Sequence, residues 1–344
     1  MKKLFRMVSL AICIAMLCCA CGDPDAKTSP GSGTPVSDPN ASTGQETPVD
    51  MPYVGIVLKS TDNPYFALIK AGAEDEADAL GVQVMVFSPD AESDVQGQAD
   101  MVSTMANMAV DVIVVAPTNE KSLSNALEQA VDRGKIVMSV DTPMDFEDCA
   151  CYIGSDQYNG GYQQGKYAAE LVSESDNAYA VILRGAQEDK AHTLREYGIT
   201  DALEDGNVYV LGAEDCGGEE AQAEQTMTEL LEEHPELNVV CTTSDSMAVG
   251  AQRAVANAER KDIHIVSFDG LPEALELVRI GELDATFAQD PYEMGRKCIE
   301  YAVKLYNGET VEESYHTDVK RITSGNAAAQ ADQVKRQLNH EGGK

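Results

Sequence analysis

Eight six-residue apolar runs recur at even intervals from residue 53, and segments of helical length separate them. They include YVGIVL at 53–58, DVIVVA at 111–116 and IHIVSF at 263–268. Such runs are typical of strands buried on both faces of a parallel sheet. Repeated strand–helix units require right-handed crossovers, so the pattern predicts an α/β fold with doubly wound parallel sheets and flanking helices. One series ends near residue 155 and a second begins near 178, which predicts two similar Rossmann-like lobes.

The first strand–helix unit carries clear signals for where its helix begins and ends. Asn63 can cap the helix, Pro64 suits its first turn, and Gly81 can end it. Phe66 and Ile69 begin an apolar stripe at three- and four-residue spacing. This spacing predicts a helix with one buried face.

The N-terminus has the pattern of an export signal. The basic stretch MKKLFR precedes an apolar run at 7–20, which is too short for a helix that spans a membrane. The small residue before Cys21 resembles a bacterial lipoprotein cleavage site, so we predict a signal peptide over 1–20 and lipidation of Cys21. An ordinary secretory signal is the alternative. Residues 21–51 are rich in Pro, Gly, Ser and Thr and predict a flexible tether.

The charge of the chain limits its partners. The formal charge is −33, and removing the signal peptide with its three cationic side chains takes it to −36. Such acidity argues against nucleic acid as a partner and against electrostatic adsorption to anionic lipid. We therefore expect an extracytoplasmic protein that is attached to the cell membrane only through its lipid.

The cysteines do not form a disulfide framework. Besides Cys21, the mature chain has five cysteines at irregular spacing, and an odd number cannot all pair. Cys241 lies in an apolar run and is predicted to be a core residue. Cys149 and Cys151 can form a strained bridge or remain two thiols on one strand.

Polar and aromatic side chains follow the predicted strands where each one ends. In open α/β sheets, ligands bind beyond the carboxyl ends of the strands. Carboxylates accept hydrogen bonds from hydroxyl groups, Lys, Arg and amide groups donate them, and flat rings cover apolar C–H faces. This set of side chains suits a neutral polyhydroxylated ligand. The candidate ligand-binding residues are Lys59, Asn63, Tyr65, Phe66, Asp141, Arg195, Ser244, Asp269 and Gln289.

Several of these residues also have a plainer interpretation. Asp141 and Asp269 can be helix caps or turn residues. Lys59 and Arg195 can be solvated surface side chains, and Phe66 also fits the buried stripe of its helix.

Four motifs together resemble the type I periplasmic binding proteins, in the cluster that binds ribose and allose. GIVLKSTDNPYFALIKAGAEDEA is similar to the opening strand and helix of that family, and its lysine matches the allose branch. HPELNVVCTTSDSMAVGAQRAV is similar to the strand and NDxMAxGAxxA helix. IVSFDGLPEA resembles VGFDGxP, and ATFAQDPYEMG resembles ATxAQxPxxxG. The resemblance covers about residues 52–323.

The resemblance implies a domain organisation with a three-segment hinge, whose crossings are expected near 155, 289 and 318. The N-terminal lobe would comprise 52–155 plus 290–318. The C-terminal lobe would comprise 156–289 plus 319–330. The residues themselves predict a short helix after Asn326 and then a loose tail over 331–344.

The resemblance also implies a function. It adds Phe268 to the ligand contacts, and it implies a monomer that captures an aldopentose, an aldohexose or a related polyol by lobe closure. The protein would then deliver this sugar to the permease and ATPase subunits of an ABC importer.

Three departures from the family pattern bear on the ligand. Ser244 stands where Asn is usual, Gly218 where Phe or Trp is common, and Thr142 where Arg or Glu is usual. The chain has no Trp, so one wall of an aromatic sandwich is expected to be missing. The departures predict a larger sugar, a polyol or a modified sugar.

Other classes of function are weakly supported by the sequence. It has no GxSxG elbow, P-loop or HExxH motif, and its five histidines lack metal-ligand spacing. We therefore expect a binding protein, not an enzyme, with neither a cofactor nor a metal. Paired carboxylates raise a glycosidase alternative. A DNA-binding regulator of similar fold is excluded by the export signal and the acidity. A receptor for a membrane sensor of a chemotaxis or quorum signal remains the alternative to transport.

Overall fold

The predicted α/β architecture is confirmed in the computed structural model, which describes residues 51–175 and 177–340. The signal peptide, Cys21 and most of the predicted tether lie outside the described residues. Across the described part of the chain, no helix combines the length and apolar character that crossing a bilayer requires.

The elements alternate between strand and helix over most of the chain. In chain order they are β1 (Tyr53–Val57), α1 (Pro64–Leu80), β2 (Gln83–Phe87), α2 (Val95–Asn107), β3 (Val112–Val115), α3 (Glu120–Asp132), β4 (Ile136–Val140), β5 (Cys149–Ser155), α4 (Gln157–Leu171), β6 (Tyr179–Arg184), α5 (Lys190–Asp205), β7 (Tyr209–Asp215), α6 (Glu220–Glu233), β8 (Val239–Thr242), α7 (Asp245–Asn257), β9 (His264–Asp269), α8 (Pro272–Ile280), β10 (Ala285–Ala288), α9 (Pro291–Tyr306), β11 (Ser314–Thr317), β12 (Lys320–Ile322) and α10 (Ala327–Leu338).

These strands form two six-stranded sheets, one in each lobe. The N-terminal sheet has the order β11-β5-β4-β3-β1-β2, and all its neighbours are parallel. The C-terminal sheet has the order β12-β10-β9-β8-β6-β7. Its neighbours are parallel except for β12, which pairs antiparallel with β10. The central strands are buried on both faces, as all four residues of β3 and of β8 show.

The predicted ends of α1 are confirmed. Asn63 Oδ1 accepts a hydrogen bond from the Tyr65 backbone N–H at 3.0 Å, and Pro64 is the first helical residue. Gly81 ends the helix with φ +73°, a conformation that glycine adopts without strain.

A pair of glycines brings two helices into close contact in each lobe. A methyl group on Gly72 of α1 would overlap the Tyr292 carbonyl oxygen of α9, and one on Gly295 would overlap that of Ile69. In the C-terminal lobe, Gly161 of α4 lies in the same way against the Arg195 carbonyl oxygen of α5. These contacts hold α1 and α5, which carry candidate site residues, in fixed positions.

The chain passes between the sheets three times, between β5 and α4, between β10 and α9, and between β11 and β12. The crossings expected near 155, 289 and 318 lie beside these links. Helix α10 contacts both α8 and α1, so it spans the two lobes.

The C-terminal segment differs from the expected loose tail at 331–344. Helix α10 continues to Leu338, and Val334 within it is buried. Packing of Val334 and Ala327 against the lobes accounts for the longer helix, because burying apolar side chains stabilises it.

The cysteines are free thiols in the described residues. Cys149 and Cys151 lie on β5 without a bridge, and Cys241 is fully buried in the core as predicted. Strands β5, β11 and β12 were not among the predicted apolar runs, because all three contain polar residues and β11 and β12 lie at sheet edges.

Candidate functional site

Two aspartates leave the sheets at matching positions in the two lobes. Asp141 directly follows β4, and Asp269 is the last residue of β9. Both are buried, and both have positive φ, +64° and +124°. Non-glycine residues rarely adopt such backbone angles, which concentrate at functional sites. Neither residue caps a helix, so the interpretation of these two aspartates as helix caps is wrong.

Lys59 joins the two lobes inside the cleft. Its ammonium group lies 2.6 Å from Asp189 Oδ2 at the start of α5 and 3.1 Å from Asp141 Oδ2. Only 2% of the residue is exposed, so the surface interpretation of Lys59 is wrong. Burial opposes its charge, but Asp189 and Asp141 outweigh burial and raise the pKa of Lys59.

Arg195 occupies the other end of the same network. It donates to Gln157 Oε1 at 2.8 Å, to the Thr243 carbonyl at 2.8 Å and to Asp269 Oδ1 at 3.3 Å. Its guanidinium also lies 4.3 Å from the ring centre of Phe268. The residue is buried, so the interpretation of Arg195 as a solvated side chain is also wrong.

Asp141 lies between the two cations. Its Oδ1 accepts from Tyr65 Oη at 2.9 Å and lies 3.8 Å from Arg195 Nη2. Burial opposes ionisation of Asp141, but Lys59 and Arg195 overcome it and lower the pKa of this carboxyl. Burial raises the pKa of Asp269, although Arg195 acts in the opposite direction. The two carboxyls therefore differ in electrostatic environment.

Aromatic rings form one wall of the site. Tyr65 and Phe66 meet edge to face, with ring centres 5.3 Å apart. Phe66 also belongs to the hydrophobic core, which confirms its predicted place in the buried stripe of α1, and its role as a ligand contact stays a prediction.

A third carboxylate, Glu92, enters the site from the loop between β2 and α2. Its Oε1 accepts from Asn63 Nδ2 at 2.9 Å. Burial raises the pKa of Glu92 to about 7, although Lys59 and the Asn63 hydrogen bond act in the opposite direction. A side chain on Gly218 would place its Cβ 3.5 Å from Glu92 Oε2. An aromatic ring was expected to be missing at Gly218, and the Glu92 carboxylate lies beside this position.

Two further polar side chains complete the cavity. His192 Nδ1 lies 2.7 Å from Thr243 Oγ1, and burial together with Arg195 and Lys59 lowers the pKa of His192 well below its usual value. The ring is therefore neutral. Ser244 is 4% exposed, and its Oγ has no hydrogen-bond partner within the described residues.

The structure brings most of the predicted residues to one small cavity. Of the predicted set, those that line it are Lys59, Asn63, Tyr65, Phe66, Asp141, Arg195, Ser244 and Asp269. Phe268 and Gln289 lie behind it. Phe268 packs beneath Arg195, and Gln289 Nε2 donates to Asp269 Oδ1 at 2.9 Å.

Sequence reasoning missed Glu92, Asp189, His192 and Gln157. One of them had a readable signal, since Asp189 is the N-cap of α5 and accepts from the Ala191 backbone N–H at 3.0 Å. The others carry no local pattern that indicates a site.

The cavity is small, about 20 Å³, which is room for about one water-sized sphere. A ligand larger than water would enter only after the side chains that line the cavity have separated. A wider cleft of about 510 Å³ opens at the mouth between the lobes. There Lys190 of α5 forms an ion pair with Asp145 of the N-terminal lobe.

Comparison with known proteins identifies the family of this chain. The family model of the periplasmic binding protein domain matches residues 54–310. The chain belongs to the periplasmic binding proteins. It lies in their ribose/allose cluster, as predicted. It is 30% identical over 269 residues to the ribose import binding protein of Salmonella typhimurium, covering 78% of this chain and 90% of that protein.

Solved structures agree with this assignment. A glucose-galactose binding protein from Geobacillus stearothermophilus superimposes with a TM-score of 0.75 at 26% identity, over 80% of this chain and 99% of that one. The Caulobacter myo-inositol binding protein superimposes with a TM-score of 0.74 at 26% identity, over 83% of this chain and 97% of that one.

Proposed function

We propose that this periplasmic binding protein captures a sugar or a related polyol between its two lobes. The observation that carries the proposal is the cavity itself. Carboxylate, ammonium, guanidinium and hydroxyl groups from both lobes converge on it beside an aromatic wall. Such a set provides donors and acceptors for hydroxyl groups and a ring face for C–H groups. The named relatives, which bind a pentose, hexoses and an inositol, support the same class of ligand.

Capture works by lobe closure in this proposal. The domains are 52–155 plus 290–318 and 156–289 plus 319–330, and the three chain links act as the hinge. Lys59 and Asp141 belong to one lobe, and Arg195 and Asp269 to the other, so a ligand that contacts all four favours the closed arrangement. The permease can then recognise closure.

The proposal involves binding without chemistry. Lys59 and Arg195 hold Asp141 ionised, which makes it a hydrogen-bond acceptor and a poor proton donor. Arg195 and Gln289 both donate to Asp269, which positions its carboxyl group as part of a rigid binding frame.

Location and partners complete the proposal. The protein works on the extracytoplasmic face of the membrane, anchored by lipid at Cys21, as a monomer that delivers its ligand to the permease and ATPase of an ABC importer.

Replacing Cys21 by Ser should release the protein from the membrane fraction and abolish incorporation of labelled fatty acid. Retention of both would contradict the anchor.

The first test is a thermal-shift screen of the purified protein against aldopentoses, aldohexoses, deoxysugars, inositols, nucleosides and amino acids. A ligand at a hundred times its dissociation constant adds about 2.7 kcal/mol to the unfolding free energy. We expect a shift with at least one sugar or inositol, followed by a one-to-one titration. A shift with nucleosides or amino acids alone would overturn the ligand class.

A further inference from the structure

The carboxyl groups around the cavity outnumber the cations that line it. Lys59 and Arg195 are the cations that line it, and His192 is neutral. Glu92, Asp141 and Asp269 line the same space, and Asp189 lies directly behind Lys59. Four carboxyl groups thus surround two cations.

The imbalance is located at Glu92. Lys59 is shared by Asp189 and Asp141, and Arg195 lies within 4 Å of both Asp141 and Asp269. Glu92 has no ion-pair partner within that distance among residues 51–175 and 177–340. Its protein hydrogen bond is the one from the neutral Asn63 amide. Lys59 acts on the Glu92 carboxyl only from a distance, and a carboxylate that lines a cavity without a cation in contact favours a positively charged group beside it.

The position of Glu92 also fits a role at one end of the ligand. It comes from the N-terminal lobe, and its Oε2 faces Gly218 of the C-terminal lobe across the cleft. The absence of a side chain at Gly218 leaves space beside that carboxylate.

A second feature points to a ligand independently of the carboxylates. The Ser244 hydroxyl is buried, lines the cavity and has no partner among the described residues. A buried hydroxyl group without a partner is unfavourable, so a polar group of the ligand is expected there.

From this arrangement we propose that the preferred ligand is a sugar or cyclitol that carries a protonated primary amine, with the ammonium group held by Glu92. The inference rests on the proposed capture of a polyhydroxylated ligand and narrows its class. The ammonium group donates to the Glu92 carboxylate, while Asp141, Arg195 and Ser244 contact the hydroxyl groups. The strongly acidic chain, with a formal charge of −33, also favours the approach of cationic solutes.

A metal ion is the competing occupant. Ligand atoms of Glu92, Asp189 and His192 lie within 4.8 Å of one another. However, Lys59 Nζ is 2.6 Å from Asp189, so a divalent ion would lie beside a fixed ammonium group. This repulsion favours an organic amine that can keep its distance from Lys59.

The test uses matched ligand pairs with the full protein in isothermal titration. The pairs are glucose and glucosamine, galactose and galactosamine, and mannose and mannosamine, each with its N-acetyl derivative. We expect at least one amino sugar to bind ten-fold or more tightly than its neutral parent. N-acetylation should remove the advantage, because it removes the charge.

Two variants test whether the preference for amino sugars depends on Glu92. Glu92→Gln should remove the ten-fold preference for the amino sugar over its neutral parent. Glu188→Gln, which removes one exposed charge near the same cleft, should keep the preference. The unfolding curves of both variants are recorded alongside, so that a folding defect is distinguished from a changed preference.

The outcomes separate this inference from the proposed function. If neutral sugars bind as tightly as their amino partners, or if Glu92→Gln keeps the preference, the amine inference is wrong and sugar capture stands. If no member of any pair binds, the amine inference fails, and the wider screen of pentoses, deoxysugars and inositols decides the proposed function. Stabilisation by Zn²⁺ or Ca²⁺ that depends on Glu92, without any preference for amines, would assign the cluster to a metal and overturn the inference.

Discussion

At the Arg195 end of the cavity, all hydrogen-bond partners of the guanidinium come from the C-terminal lobe, whereas the Lys59 end combines residues of both lobes. Gln157, Thr243 and Asp269 hold Arg195 whether or not the lobes are together. Lys59 reaches Asp189 only when they are together. We therefore expect the Arg195 end to be organised in advance and to supply affinity, and the Lys59 end to form when the lobes close.

The largest loss of ligand affinity is expected when the Arg195 side chain is removed. Arg195→Ala leaves Asp269 buried without its cation, which typically costs about 3–5 kcal/mol. We expect the best-binding ligand of the screen to lose at least 100-fold in affinity by titration calorimetry, with a lower melting temperature. Arg253→Ala, which removes an exposed pairing with Glu220, is the control and should do neither. An affinity within three-fold of wild type would show that Arg195 is not part of the binding site.

The closing end is best tested at Asp189. Asp189→Asn keeps an N-cap acceptor for α5 but removes the ionic partner of Lys59. We expect about 30-fold weaker binding, or about 2 kcal/mol, with the folded stability nearly unchanged. Asp156→Asn is a matched control, because Asp156 caps α4 in the same way but is exposed. Equal losses in both variants would show that capping, and not the interlobe pair, is what matters.

Proton uptake distinguishes Glu92 from the rest of the closing end. Its pKa is raised from about 4.5 to about 7 in the fold, so between these values the folded protein holds a proton that the unfolded chain does not. Stability without ligand should therefore fall as pH rises through this window.

Glu92→Gln should reduce this pH-dependent loss of stability by on the order of 1 kcal/mol. The effect is no larger because Glu92 is partly exposed, so solvent screens the shift of its pKa. Melting curves between pH 5 and 8 measure it. Glu128→Gln, on the exposed side of α3, should leave the pH profile as it is. A wild-type profile that rises over the same range would contradict the assignment.

The smallest effect is expected at the mouth of the cleft. Asp145→Ala removes the ion pair with Lys190, and Asp145 is largely exposed. Exposed pairs contribute about 0–1 kcal/mol, so affinity should change by less than three-fold in calorimetry. A ten-fold loss would place a closing contact at the mouth as well as inside the cavity.

The same contrast explains which parts of the site the sequence could predict. Asp141, Arg195 and Asp269 follow buried strands, and the carboxyl ends of parallel strands meet at one edge, so their convergence was predictable. Glu92 lies in a loop without periodicity, and its role depends on the distant Gly218. Asp189 has the local signature of a helix cap, and nothing near it in sequence indicates Lys59. The residues that the sequence missed lie mainly at the end that closes.

The fold shows a similar division. Apolar runs predicted the central strands because burial on both faces requires them. The edge strands β11 and β12 contain mainly polar residues, so hydrophobicity gave no signal for them. Helix α10 was expected to end early, because the contact that extends it, burial of Val334, depends on the assembled lobes.

The three chain links also determine the order in which the protein can be completed during synthesis. All five long strands of the C-terminal sheet have been made by Ala288, whereas the N-terminal lobe still lacks α9 and β11, which end at Thr317. The lobe that emerges first from the ribosome therefore waits for its last helix and strand until most of the C-terminal sheet has been made. Until then, the face of α1 that packs on α9 through Gly72 stays uncovered. A chaperone that holds the growing chain would find its apolar surface there.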